Sequence, residues 1–209
     1  MKNNKCKICR RLGVKLFLKG ERCLSVKCSI IRKPYPPGQK KKRRARALSE
    51  YGQELREKQK MKNWYNLGER QFKNYVSKIL KSRGKVKDPS SLLIKVLESR
   101  LDNVVFKLGF SSSRSLARQM VSHGHFLVNN KSLNIPSYLV KKGDKITLKP
   151  ESAKKKVFQS ISAVLKKYTA PAWLEINVDK LEGKVLRDPG PEDSTPPAEI
   201  SSIFEFYSK

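Results

Sequence analysis

The 209-residue chain is long enough for one large domain or two small ones with a real core. It carries 47 Lys and Arg against 18 Asp and Glu, a net charge of +29, which excludes an ordinary neutral metabolic enzyme and predicts a polyanionic partner. No run reaches the ~20 apolar residues of a membrane-spanning helix, and the stretch Val14 to Leu18 is too short and too broken by Lys15 for a secretory signal. No membrane partner is therefore expected, and the cysteines are expected to be reduced or metal-bound.

All four cysteines lie near the start, in the pattern Cys6-x2-Cys9-x13-Cys23-x4-Cys28. Each short spacing turns two sulfurs toward one point, and the loop brings the second pair up to complete a tetrahedron. The pattern predicts a knuckle around one structural zinc ion. An iron–sulfur cluster is the alternative that the spacing leaves open; a Cys-x-x-Cys redox pair would want a βαβ setting that is missing. Lys5, Lys7, Arg10, Arg11, Arg22 and Lys27 flank the cysteines and favour thiolate. More than half of the net charge falls in residues 1–46. It peaks at Lys40, Lys41, Lys42, Arg43, Arg44 and Arg46, six cations in seven residues. Alone such a run reads as a solvated arm; between a metal knuckle and a helical region it predicts a polyanion contact.

A helix rich in good helix formers follows, from Gln53 to about Asn63. Arg56, Lys58, Lys60 and Lys62 cover much of its circumference, so it is expected to contact something other than a core. Residues 69–82 carry Phe72, Val76, Ile79 and Leu80 at helical spacing, with Gly84 as the stop. Asp88-Pro89-Ser90 opens one long helix or two abutting ones through Leu108, ended by Gly109. Ser111 to Ser113 caps a shorter helix that runs to His123. Phe126-Leu127-Val128, Tyr138-Leu139-Val140 and Lys145 to Leu148 read as short strands, with turns at Asn129-Asn130 and Gly143-Asp144. Residues 154–167 read as another basic helix, Trp173 to Val178 as a strand and Pro189 to Pro197 as a loop. The apolar ending Ile203 to Tyr207 is expected to dock on an earlier domain.

Pro36-Pro37-Gly38-Gln39, Leu55 to Lys60, Glu69-Arg70-Gln71-Phe72 and Arg100-Leu101-Asp102-Asn103-Val104-Val105 resemble, in this order, the universal S-four family of small-subunit ribosomal proteins in its bacterial-type form. Val121-Ser122-His123, Val128-Asn129, Asn134 to Tyr138, Trp173-Leu174-Glu175 and Tyr207-Ser208-Lys209 continue the likeness nearly end to end. The cysteine spacing is similar to that of the zinc-bearing branch. Lys40-Lys41 stand where the family often has His-Gly, and Asn129-Asn130 replaces a frequent Asn-Gly. The resemblance implies an α+β fold: a mainly helical domain with an N-terminal zinc knuckle, plus an inserted small helix-turn-helix and short-strand RNA-binding module. The expected divisions are 1–46 for knuckle and basic arm, 47–97 plus about 164–209 for the helical domain, and 98–163 for the module.

The resemblance further implies binding to a multi-helix junction in the 5′ domain of 16S ribosomal RNA early in assembly. Neighbouring small-subunit proteins are expected partners, as is messenger RNA at the channel through which it enters the subunit. The location implied is the ribosome in the cytoplasm, with an organellar ribosome as the alternative. Structured RNA is read through phosphates, 2′-hydroxyls and shape. The candidate contacts are the Lys40–Arg46 cations, Arg56, Lys58, Lys60, Arg70, Lys73, Ser113, Arg114, Arg118 and Lys131. Arg100-Leu101-Asp102 is similar to the catalytic motif of pseudouridine synthases. Too little chain follows for their catalytic domain, so Asp102 is read as structural and no enzyme is expected. A zinc-finger DNA binder would want a groove-sized recognition helix after the cysteines, so no DNA partner is expected.

Overall fold

The computed structural model describes residues 5–39, 47–82, 88–159 and 161–208, which leaves Gly84 and the Lys40–Arg46 run outside the described residues. The chain divides into two compact units: one takes the residues up to Leu93 and from Pro196 onward, the other Ile94–Thr195. The first unit opens with helices α1 (Lys5–Leu12), α2 (Glu21–Leu24) and α3 (Ser29–Arg32), continues with α4 (Glu50–Trp64) and α5 (Glu69–Lys81), and ends within α6 (Pro89–Glu98). The second holds α7 (Leu101–Lys107), α8 (Arg114–Ser122), β1 (Phe126–Val128), β2 (Lys131–Ser132) and β3 (Lys145–Leu148). It goes on with the short helices α9 (Pro150–Ala153) and α10 (Ile161–Leu165) and the hairpin β4 (Leu174–Asn177) and β5 (Glu182–Val185). The chain then returns to the first unit as α11 (Ile200–Ser208).

In the first unit, α4 starts where Ser49 Oγ accepts the Gly52 N–H at 3.3 Å, satisfying one of the free amides of a helix start. On α5 the predicted stripe of Phe72, Val76 and Ile79 is buried. The terminal segment docks as its composition predicts: α11 packs on α4 and α5 and buries Ile203 and Phe204. The expectation that α4 avoids a core is corrected. Its Glu54, Lys58 and Met61 are buried, and Glu69 of α5 supplies the counter-charge for Lys58 at 2.8 Å. Leu12 and Leu16 form a small apolar centre with Cys9, against which Trp64 of α4 packs.

The second unit is built on an antiparallel sheet of order β2-β1-β3-β5-β4. Strand alternation puts Phe126, Val128, Ile146, Leu148, Leu174 and Val185 into one core with Leu101, Val104, Val105 and Leu108 of α7 and Ala117, Met120 and Val121 of α8. The β1–β2 turn places Asn129 at φ 48° and Asn130 at φ 64°, a left-handed pair that two asparagines tolerate. Asn129 also bonds Asp144 Oδ1 at 2.8 Å and accepts the Lys145 N–H at 3.0 Å, tying one turn to the next.

Three expectations need correction. The module does not end near 163: β5 pairs with β3 (Ile146 with Gly183, Thr147 with Glu182), so residues 164–195 fold with it rather than with the helical unit. The helix expected over 154–167 is interrupted, with Lys155 extended at ψ 144°, and the break lets Phe158 reach the core. Tyr138-Leu139-Val140 forms no strand of the sheet. Its carbonyl at Tyr138 accepts the Leu101 N–H at 2.8 Å, and the Val140 N–H donates to Ser99 at 2.9 Å, closing the junction between α6 and α7.

Candidate nucleic-acid interface

The N-terminal cysteines converge. Cys6, Cys9, Cys23 and Cys28 all line one small cavity of about 10 Å³, and none is in a disulfide. The Lys19 backbone N–H donates to Cys23 Sγ at 3.3 Å, and the Leu16 backbone bonds Cys9. Burial pushes the Cys9 thiol above its ordinary value; the Leu16 hydrogen bond opposes this and the charges of Cys23, Cys6 and Cys28 reinforce it. Among the described residues, no three His, Cys, Asp or Glu side chains gather closely enough to grip an ion as they stand. The four cysteines nonetheless line one cavity. Their chemistry, four soft donors with backbone amides turned on two of them, suits a thiophilic metal. Arg10 braces this region from α1, donating from Nε to the carbonyls of Lys33 at 3.1 Å and Tyr35 at 3.0 Å.

The predicted cations divide sharply by role. Arg56 gives Nε and Nη2 to the Leu12 carbonyl at 3.2 and 2.7 Å, fastening α4 to the end of α1. Lys58 is only 6% exposed and pairs with Glu69 at 2.8 Å, with the Phe206 ring centroid 4.2 Å from its ammonium. Lys60 pairs with Glu57 at 2.6 Å. These three are engaged inside the first unit. Arg70 and Lys73 are exposed on α5.

In the second unit, Ser113 Oγ accepts the Leu116 N–H at 3.3 Å and caps α8. Arg114 is buried: its Nε donates to Asn103 Oδ1 at 2.8 Å and its guanidinium lies over the Phe106 ring at 4.6 Å. Asn103 and Phe106 on α7 thus fix the position of Arg114 at the start of α8. Arg118 is partly exposed and Lys131 is exposed. Reasoning from the sequence missed exposed cations after β3, Lys154 to Lys156; their signal was the Lys-Lys-Lys run, absorbed into a helix that is broken at Lys155.

Asp102 is buried and receives Arg100 at 3.0 and 2.7 Å, an ion pair closed off from solvent. Its backbone N–H donates to Pro136 at 3.2 Å. Both sets of contacts make it a structural residue.

Comparison with known proteins agrees with the geometry. Residues 1–98 match the family described as ribosomal protein S4/S9 N-terminal domain, and residues 99–146 match the S4 domain. The small ribosomal subunit protein uS4 of Halothermothrix orenii is 48% identical over 204 residues, 98% of this chain and 96% of its own. The chain belongs to the uS4 family. The uS4 proteins of Thermotoga petrophila and Thermus thermophilus are 46% and 45% identical over the same shares. The uS4 family is structural and not enzymatic, in keeping with an Asp102 held by Arg100. No helix among the described residues is long and apolar enough to cross a membrane.

Proposed function

We propose that the protein is a structural constituent of the small ribosomal subunit in the cytoplasm, where it binds and orders 16S ribosomal RNA beside neighbouring ribosomal proteins. One observation carries the reading: a net charge of +29 on a chain similar to uS4 proteins along 98% of its length. Arg70, Lys73 and Lys131 face solvent and are available to phosphates, while Arg56, Lys58 and Arg114 hold the surfaces that present them. Binding by such cations displaces counterions, so the logarithm of the binding constant falls linearly with log salt, with a slope of about −0.7 to −0.9 per phosphate contact. Sedimentation of the endogenous protein tests the reading. It comigrates with small subunits in high salt, and protein left at the top of the gradient at every salt concentration refutes it.

The finer reading places the RNA contact at a junction in the 5′ domain. It sets Lys40–Arg46 beside the channel through which messenger RNA enters, with a role in accuracy. Six cations in seven residues support it, since backbone contacts by Lys and Arg are sequence-independent and exchange quickly. Neutralising Arg43, Arg44 and Arg46 is expected to slow translation through a messenger hairpin while subunit assembly stays near normal; the reverse outcome assigns the run to ribosomal RNA alone.

The cysteines are proposed to hold one structural zinc ion through Cys6, Cys9, Cys23 and Cys28, with an iron–sulfur cluster as the less favoured occupant. The shared cavity, the free thiols and the Lys19 amide on Cys23 support this. When bound, zinc would supply folding free energy to the segment and no catalytic chemistry.

A further inference from the structure

The four cysteines differ in how solvent reaches them. Cys9, Cys23 and Cys28 are buried, while Cys6, in the first turn of α1, is half-buried at the same cavity. Oxidation of a thiol needs contact with the oxidant, so Cys6 is the sulfur that a small oxidant from solvent meets first.

The helix then selects its partner. Cys6 and Cys9 lie three residues apart on α1, which sets their Cα atoms about 5 Å apart, within the roughly 4.4–6.8 Å that a disulfide spans. Their β-carbons stand about 5–6 Å apart, against the roughly 3.5–4.5 Å that the link requires. The bond therefore closes when the first turn of α1 loosens. That turn has N–H groups with no acceptor inside the helix, so it yields most readily. The far end of α1 is tied down, since Arg56 holds the Leu12 carbonyl at 3.2 and 2.7 Å. Cys23 belongs to α2, where its Sγ accepts the Lys19 N–H at 3.3 Å, and Cys28 is the residue before α3. Joining Cys6 to either of them requires two elements to shift against each other.

We infer that Cys6 and Cys9 are a hydroperoxide-sensitive pair, with Cys6 the sulfur oxidised first and Cys9 the one that closes a disulfide. In the first step the Cys6 sulfur bonds to one peroxide oxygen and the O–O bond breaks, giving a sulfenic acid and one water from hydrogen peroxide. In the second the Cys9 sulfur bonds to the Cys6 sulfur, the S–O bond breaks, and the hydroxyl departs as water with the Cys9 proton. Two thiols lose two electrons, and one peroxide is reduced to two waters. Where a metal holds the sulfurs as thiolates, solvent supplies the two protons and the metal leaves as the free ion. Cys23 and Cys28 then remain as thiol donors, too few for a four-coordinate structural site. This release of metal rests on the zinc reading above; the pairing itself rests on the geometry of α1.

The test treats the full wild-type chain, with its metal, with less than one equivalent of hydrogen peroxide. One portion contains dimedone, which traps sulfenic acid. In the other, remaining thiols are blocked with iodoacetamide and linked peptides are mapped by mass spectrometry, while a chromogenic chelator follows zinc. The expected result is a dimedone adduct on Cys6, a Cys6–Cys9 link that a thiol reductant reverses, and zinc released in step with that link. An adduct first on another cysteine, a link from Cys6 to Cys23 or Cys28, or four intact thiols overturns the pairing and leaves the zinc reading standing. A Cys6–Cys9 link in a chain that carries no zinc as purified overturns the zinc reading and leaves the pairing standing. A link that forms while zinc stays bound overturns the release.

Discussion

Lys58 Nζ stands 2.8 Å from Glu69 Oε1, joining α4 to α5 at the spot where α11 closes over them. Lys62 reaches the other oxygen of Glu69 at 2.9 Å, and the Tyr207 hydroxyl donates to Oε1 at 3.1 Å. One half-exposed carboxylate thus serves three elements. Glu69→Gln leaves the buried Lys58 ammonium without its counter-charge, and a loss of about 1–2 kcal/mol is expected, limited by the exposure of Glu69. Urea denaturation followed by tyrosine fluorescence measures it.

The same group sets an acid limit. Burial alone would push the Glu69 carboxyl up, but the hydrogen bonds and charges of Lys58 and Lys62 outweigh it and hold the carboxyl at about 2. A depressed carboxylate contributes stability in full above its unfolded value of 4.5 and loses it as pH falls toward 2. Docking of α11 is therefore expected to weaken between about pH 4.5 and 2, read from the Phe206 and Tyr207 ring signals in NMR spectra. If Glu69→Gln shows the same acid midpoint as wild type, another carboxyl governs the transition.

Arg114→Ala is expected to destabilise the second unit by about 2–3 kcal/mol, because it strands the buried Asn103 oxygen and uncovers the Phe106 ring. Lys131→Ala, on the exposed β2, is expected to stay within about 0.5 kcal/mol. Thermal melts of the two variants side by side distinguish a structural arginine from a surface cation; equal melting temperatures would show that Arg114 carries no structural load.

Gly183 on β5 lies against Leu108, which is fully buried, and a β-carbon there would come within 2.6 Å of Leu108 Cδ2. Gly183→Ala is expected to cost about 1–3 kcal/mol through overpacking. Leu108→Ala opens space at the same point, so adding Gly183→Ala to it should cost less than about 1 kcal/mol. Additive losses in that double-mutant cycle would mean that the two residues do not meet.

Elemental analysis of the purified chain is expected to find one zinc. Cys9→Ser, or a strong chelator, should unfold the region of α1 to α3 while leaving the second unit folded, since zinc-thiolate sites of this type contribute about 10–16 kcal/mol. Iron with sulfide in place of zinc identifies the cluster instead. Retention of the α1–α3 amide signals in chelator would show that Leu12, Leu16 and Trp64 suffice without a metal.

What the sequence made legible follows from local rules. The stripe of Phe72, Val76 and Ile79, the Ser113 cap and the left-handed Asn129-Asn130 turn each depend on neighbours a few residues away, and each was readable. The β4–β5 hairpin was half hidden. Its turn runs through Leu181 at φ 48°, a residue type that gives no signal for left-handed backbone, and an Asn177 side chain accepts the Asp179 and Lys180 N–H groups instead. The partners of the cations were hidden for a different reason. Arg56, Lys58 and Arg114 look like surface charges in one dimension, but partners 44, 11 and 11 residues away in sequence, Leu12, Glu69 and Asn103, hold them. Long-range pairing of this kind leaves no periodicity to read.

Because α11 completes a unit whose other helices precede Ile94, synthesis imposes an order on folding. All of Ile94–Thr195 emerges first, a delay of roughly 5–20 s at about 5–20 residues per second. During that interval the faces of α4 and α5 that later receive Ile203 and Phe204 stand open to water, while the second unit has all its strands in hand. A nascent chain thus passes through a state with a finished module and an uncovered helical surface. Chaperones that recognise exposed apolar residues have their target there, and any chain cut short before Ile200 keeps that target permanently.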